Sequence, residues 1–167
     1  MKEGFLARRL IRPLLELLRQ GVTPEKLALS IALGAALGLI PALGWSAILC
    51  ALVAFALGLN LPAIQLVNYF MYPAQIALLI PFFRLGERVF GAPHLPISVS
   101  EIYRMARANL WGAIKFLWGT TWHAIVVWAL LAPFLVAAIY FLLVPAFRRV
   151  LKGQAKAQLA AARVKVA

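Results

Sequence analysis

The sequence predicts an all-α fold, a polytopic α-helical membrane protein, and three observations carry that expectation. Of the 167 residues, 64% are hydrophobic and only 13% charged, whereas soluble domains are about half apolar and about a quarter charged. A chain this small and this apolar would show water large contiguous oily patches, which soluble monomers avoid. The apolar residues fall into three long runs, 27–59, 61–83 and 121–147, and about 20 such residues suffice for a helix to cross hydrocarbon. The formal net charge of +12 lies outside those runs, as it does on the flanks of spanning helices. The predicted arrangement is a broken helical hairpin, either re-entrant or crossing twice, then two transmembrane helices, with amphipathic interfacial helices beside them.

Residues 1–22 read as a basic amphipathic helix. Arg8, Arg12, Glu16 and Arg19 recur on one side and Leu6, Leu10, Leu14, Leu17 and Leu18 on another, the pattern of an element lying in an interface. Pro13 weakens it. The segment lacks the apolar core and cleavage site of a signal peptide, so the chain is read as mature. Gly21 ends this element. Thr23-Pro24-Glu25 opens the next with a capping hydroxyl, a proline at the first helical position and an acid at the positive helix end.

The uncharged run 27–59 is too long for one span. As a straight helix it would measure about 50 Å, and fitting it across hydrocarbon would need a tilt of about 50°, beyond the usual range. The break falls at Pro41-Ala42-Leu43-Gly44, which predicts a first helix of about fourteen residues and a second of about fifteen, each about 20 to 24 Å long. Backbone at such a tip must be covered by protein or face a watery cavity, because lipid cannot satisfy it. Asn60-Leu61-Pro62 then punctuates the chain, the asparagine suited to a helix end and the proline to a helix start.

The run 61–83 has the length of a natural crossing, about 35 Å as helix. Gln65, Asn68, Tyr69, Tyr72 and Gln75 recur at spacings of three and four and form one polar stripe. Pro73 beside them frees a backbone carbonyl one turn earlier. Residues 84–120 read as a loop and an interfacial helix. They hold Arg84, Glu87, Arg88, Arg104, Arg107 and Lys115, a proline-rich turn around His94, and Ser98 or Ser100 as a cap with Glu101 in the first turn. Trp111, Trp118 and Trp122 share a helical face at headgroup level. The last span, 121–147, carries Pro133, and a basic tail, 148–167, follows with no acid at all.

Positive segments favour the cytoplasm. The amino-terminal segment holds six Lys or Arg, the middle loop five and the tail six. A hairpin followed by two spans places both termini and twelve of these inside, against eleven for a single kinked first span. The length of the first run decides for the hairpin. An arrangement with every apolar run re-entrant satisfies the charge rule best but leaves the clean length of the last span unexplained.

The stretch from Ala32 through Gly34, Gly38 and Pro41 to Gly44, then Gly58-Leu59-Asn60-Leu61-Pro62, Tyr72-Pro73 and Arg84-Leu85-Gly86-Glu87, resembles the bacterial membrane family known only as DUF2062. The resemblance covers about residues 22 to 145. It implies a small integral inner-membrane protein, in some members joined to glycosyltransferase-like domains, with no established biochemical activity. Many members have Asn-Pro where this chain has Tyr72-Pro73, and Asn68 lies one turn earlier, placed to supply an amide.

Candidate chemistry rests on few residues. Gly34-x-x-x-Gly38 allows close helix packing, within the monomer or between copies. Gly44, Trp45 and Ser46 begin the second half of the hairpin, where free backbone N–H groups and the positive dipole end suit an anion such as a lipid phosphate. With Pro41 they form one part of a candidate ligand site. Gln65, Asn68, Tyr69, Tyr72, Pro73 and Gln75 form a second part, serving either as interhelical hydrogen bonds or as a polar cleft facing the hairpin tip. Arg84 and Arg88 flank it as anchors or phosphate contacts. No ionisable group lies deep in an apolar run, so the groups expected of a proton-coupled pump are missing. Cys50, His94 and His123 have no partners at metal-ligand spacing, and no catalytic constellation or phosphate loop is present. The expectation is a non-enzyme with no cofactor and no nucleic-acid partner, its basic residues being membrane flanks. Its partners are membrane lipids, with a homo-oligomer or an envelope enzyme as a further partner. Two functions remain open: binding or transport of an amphiphilic anion such as an envelope lipid phosphate, or a non-catalytic scaffold for an envelope-biosynthesis enzyme.

Overall fold

The computed structural model describes residues 23–42, 44–93 and 99–166. The expected helix over 1–22, together with Leu43, His94 and Ser98, lies outside the described residues. Among the described residues five helices follow in order: α1 (Pro24–Gly38), α2 (Ser46–Leu57), α3 (Leu61–Phe90), α4 (Val99–Ala108) and α5 (Leu110–Val166). No strand occurs among the described residues.

The first apolar run is broken where its length requires. α1 has 15 residues and α2 has 12, with the backbone turning between them at Pro41 and at Gly44, whose φ of 86° suits glycine. Thr23 caps α1 by accepting from the Lys26 N–H at 3.3 Å, and Pro24 stands in its first turn. α2 ends on Gly58 in the left-handed region. Asn60 therefore does not close a helix; its Oδ1 accepts from the Ala63 N–H at 2.8 Å and starts α3. This corrects the sequence reading, because Gly58 reaches the left-handed conformation without the steric cost a side chain meets.

α3 runs through Pro73 and Pro81 to Phe90, well beyond the apolar run. α4 begins at Val99, which places Ser100 inside the helix and removes it as a cap. Asn109 instead caps α5, accepting from the Gly112 N–H at 2.9 Å. α5 is continuous through Pro133 and Pro145 to Val166, so Trp111, the last apolar run and the backbone of the basic tail belong to one helix.

α1 sits at the centre, packed against both α3 and α5, while α2 lies outside against α3. Its small residues allow this. A Cβ on Gly34 would stand 2.6 Å from the Ile64 carbonyl oxygen, and one on Gly38 would stand 2.8 Å from the Met71 Cβ. The glycine pair thus packs α1 on α3 within one molecule. Leu27 and Ala28 meet Ala63 and Phe147, so α1 and α3 start at the same end of the bundle at which residue 147 of α5 arrives. Glu25 and Arg148 pair there at 2.7 Å. A local backbone hydrogen bond, with that guanidinium, holds the Glu25 carboxyl below its usual range.

The chain returns to this end after α2. The Ser30 hydroxyl donates to the Lys26 carbonyl at 2.8 Å and accepts the Asn60 N–H at 3.2 Å, closing the base of the hairpin. With 15 residues against the 30 of α3, α1 is about half its length at about 1.5 Å per residue. The hairpin tip therefore stops part-way along the two long helices. Beyond it α3 meets α5 directly: Gly86 lies against the backbone of His123 and Ala124, and Phe90 stacks on His123 at 4.6 Å.

α3 and the Leu110–Val150 part of α5 are both long and apolar enough to cross a membrane, and only 17% and 6% of their most apolar windows are buried. The oil thus faces outward along the two long helices. α1, rich in alanine and glycine, is the most enclosed of the helices.

Candidate functional site

At the hairpin tip the end of α1 leaves carbonyls, and the start of α2 leaves N–H groups, without helical partners. Side chains from the neighbours donate to carbonyls on both sides of the turn. The Gln75 Nε2 donates to the Ile40 carbonyl at 2.7 Å, and the Gln65 Nε2 donates to the Ala47 carbonyl at 2.8 Å. The Trp128 indole N–H donates to the Ala36 carbonyl at 2.9 Å from the other side. Backbone within the turn adds Ile40 N–H to Leu37 and Ala42 N–H to Ile40. Two amides and one indole thus tie the break to α3 and α5.

The stripe expected on α3 consequently divides. Gln65, Asn68 and Gln75 point inward, with Asn68 4% and Gln75 2% exposed. Tyr69 and Tyr72 are exposed at 66% and 53% and do not join them. Five residues at spacings of three and four cover a wide arc of a helix, and only the part facing α1 is buried. Asn68 donates to the Gln65 Oε1 at 3.5 Å, while its own Oδ1 is buried without a hydrogen bond beside Gly38. Pro73 is exposed.

Next to the turn lies a cavity of about 500 Å³, within the range of small-molecule sites. The turn contributes Ile40, Pro41 and Ala42, and α2 with its cap contributes Trp45 and Leu49. Leu79 and Phe83 of α3 and Trp118, Thr121 and Ile125 of α5 form the other walls. Thr121 is the one hydroxyl among these residues, and its Oγ1 donates to the Leu117 carbonyl at 2.8 Å. Among the described residues no charged side chain lines the cavity. Trp45 and Trp118 are 60% and 71% exposed and stand at its rim.

Of the residues singled out in the sequence, Pro41 and Trp45 line this cavity. Gly44 is open, with nothing within 4 Å of a Cβ built on it, and Ser46 is half-buried at the start of α2, which has no side-chain cap. Gln65, Asn68 and Gln75 are engaged at the break rather than at the cavity wall. Arg84 pairs with Glu87 at 2.9 Å, and Arg88 is exposed one turn further on. Glu87 is 2% exposed, a buried carboxylate near the end of the long helix rather than in the loop the sequence places after the span. Trp128 was also missed, although its position offered a signal: an indole mid-run, away from the headgroup belt, needs a partner for its N–H. Leu79, Phe83, Thr121 and Ile125 gave no signal, because wall residues of an apolar groove look like any spanning helix. No group of three metal-ligating side chains occurs among the described residues.

Residues 7–156 match the family described as "Uncharacterized protein conserved in bacteria (DUF2062)". The chain belongs to the DUF2062 family. No curated protein and no solved structure matches it. The site geometry of this DUF2062 chain therefore stands on its own residues.

Proposed function

We propose that the protein is a multi-pass protein of the bacterial inner membrane that holds an amphiphilic lipid at the tip of a re-entrant hairpin. In this reading α3 and the Leu110–Val150 part of α5 cross the bilayer, and α1 and α2 enter and leave by the cytoplasmic face. The pairing of Glu25 with Arg148 at one end supports a cytoplasmic position for both termini, where the charge rule also favours them.

The observation that carries the reading is the cavity of about 500 Å³ beside the break. It is apolar, it lies within the length of two span-length helices, and it adjoins the start of α2, where backbone N–H groups have no side-chain cap. An anionic head group such as a lipid phosphate suits that polar end. Arg84 and Arg88 follow Phe83 of the cavity wall toward the opposite interface. Transport would require the break to open, and Gln65, Gln75 and Trp128 hold it closed, so binding is the better supported half of the function.

The test is purification of the full chain from bacterial membranes in mild detergent, followed by native mass spectrometry. One lipid class should be retained in a fixed ratio by the wild type and lost from Ala42→Trp, which fills the cavity. Lipids retained by both proteins in the proportions of the bulk membrane would overturn the reading.

A further inference from the structure

We infer that the cavity at the hairpin tip is a site for one hydrocarbon chain of a membrane lipid, entering between Trp45 and Trp118 and leaving the head group outside. The inference rests on the membrane reading above and deepens it by naming which part of the ligand the cavity takes.

The lining chemistry selects the chain over the head. The polar groups of the turn and of the α5 wall are already committed, the Thr121 hydroxyl to Leu117, the Ile40 carbonyl to Gln75 and the Ala42 N–H to Ile40, which leaves donors only at the rim, in the Trp45 and Trp118 indoles and the uncapped start of α2. Pro41 has no N–H to offer. A phosphate placed deep in the groove would lose its water and leave the rim donors behind, which disfavours it strongly. A methylene chain loses nothing.

The rim shows where the chain comes from. α3 and α5, which supply two walls of the cavity, also carry outward apolar faces on which Leu78, Ile80, Leu130 and Phe134 are exposed. A surface of that kind is covered by hydrocarbon, and a lipid chain can slide from it into the groove without crossing a polar barrier. Entry brings no hydrophobic gain, since lipid tails are as apolar as the wall. Selection arises from dispersion contacts with a preformed concave wall, including three aromatic rings, Trp45, Phe83 and Trp118.

The experiment uses the full chain in bilayers containing increasing fractions of phospholipid brominated on its acyl chains, a contact quencher of indole. Two proteins are compared. Both keep Trp128, whose indole holds Ala36, and each keeps one other tryptophan, Trp45 or Trp122, with the rest changed to Phe. Trp122, exposed on α5 away from the cavity wall, reports bulk lipid. Quenching of Trp45 should saturate, reaching half its limit at about a tenfold lower mole fraction than Trp122, a preference of tenfold in binding. Ala42→Phe should return Trp45 to the bulk curve. If that variant does not fold, the comparison of Trp45 with Trp122 still decides.

Coincident curves for the two tryptophans would overturn the inference. Should a lipid survive purification while Trp45 follows the bulk curve, lipid holding would stand and chain insertion at this groove would fall. A Trp45 quenched at no mole fraction, in a protein that sediments as a dimer, would assign the groove to a second copy and overturn it equally.

Discussion

Gln75 and Asn68 sit two turns apart on α3, both almost fully buried, yet they stand in opposite energetic positions. Gln75 completes the Ile40 carbonyl at 2.7 Å, whereas the Asn68 Oδ1 has no partner. Without Gln75 the Ile40 carbonyl keeps only the Ala42 N–H, so one buried hydrogen bond is lost, whereas removing an unpaired group relieves a desolvation cost. Gln75→Leu is therefore expected to destabilise the folded protein by about 0.5–1.5 kcal/mol, and Asn68→Leu by clearly less. Unfolding of both variants in detergent, followed by far-UV circular dichroism, measures the difference, and equal losses would contradict this division of the stripe. The sequence announced that amides lay in the oil, but spacing alone does not say which face of α3 meets α1. That face is set by Gly34 and Gly38, which draw the α1 backbone onto Ile64, Asn68 and Met71. The two tyrosines fell just beyond its edge.

At the scale of elements, length arithmetic made the hairpin legible, since no membrane takes a straight helix of 33 apolar residues without strain on tilt. The caps at Thr23 and the turn at Pro41 were legible for the same local reasons that form them. The central position of α1 was less so. Its composition of alanine and glycine signals close packing without naming a partner, and α3 and α5 both turn out to be partners. The glycines of the sequence thus differ sharply in consequence. In α1, a Cβ on Gly34 would stand 2.6 Å from a backbone oxygen that has no freedom to move aside; on Gly119 of α5 it would meet nothing within 4 Å. Gly34→Ala should cost about 1–3 kcal/mol through forced separation of α1 from α3. Gly119→Ala should be neutral or gain up to about 1 kcal/mol from helix propensity. Thermal unfolding of the two alanine variants side by side reads the contrast, and a stabilised Gly34→Ala would show that α1 and α3 are not in contact through this glycine.

For the whole molecule, the net charge and the apolar content decide what surrounds the protein but not how far the hairpin reaches, because both a two-pass and a re-entrant hairpin return Asn60 to its starting side. The lengths of the folded elements favour the re-entrant form proposed above. α1 is about half the length of α3, and the cavity wall pairs Ile40 to Ala42 with Leu79 and Phe83, so the tip stops part-way along α3 and α5, the two helices long and apolar enough to cross a membrane. Cysteine labelling tests this directly, since the native Cys50 is fully buried and should stay silent in the folded protein. In intact cells, a membrane-impermeant maleimide should label Pro93→Cys, in the turn after α3, from the outer face. Asn60→Cys and Val150→Cys should label only once the inner membrane is opened, as the shared end of Glu25 and Arg148 requires. Trp45→Cys, at the tip, should react with neither side. Labelling of Trp45→Cys from outside would mean that the hairpin crosses twice, and labelling of Asn60→Cys from outside would mean that residues 27–59 form a single crossing. Either result would remove the membrane-embedded tip on which lipid holding depends.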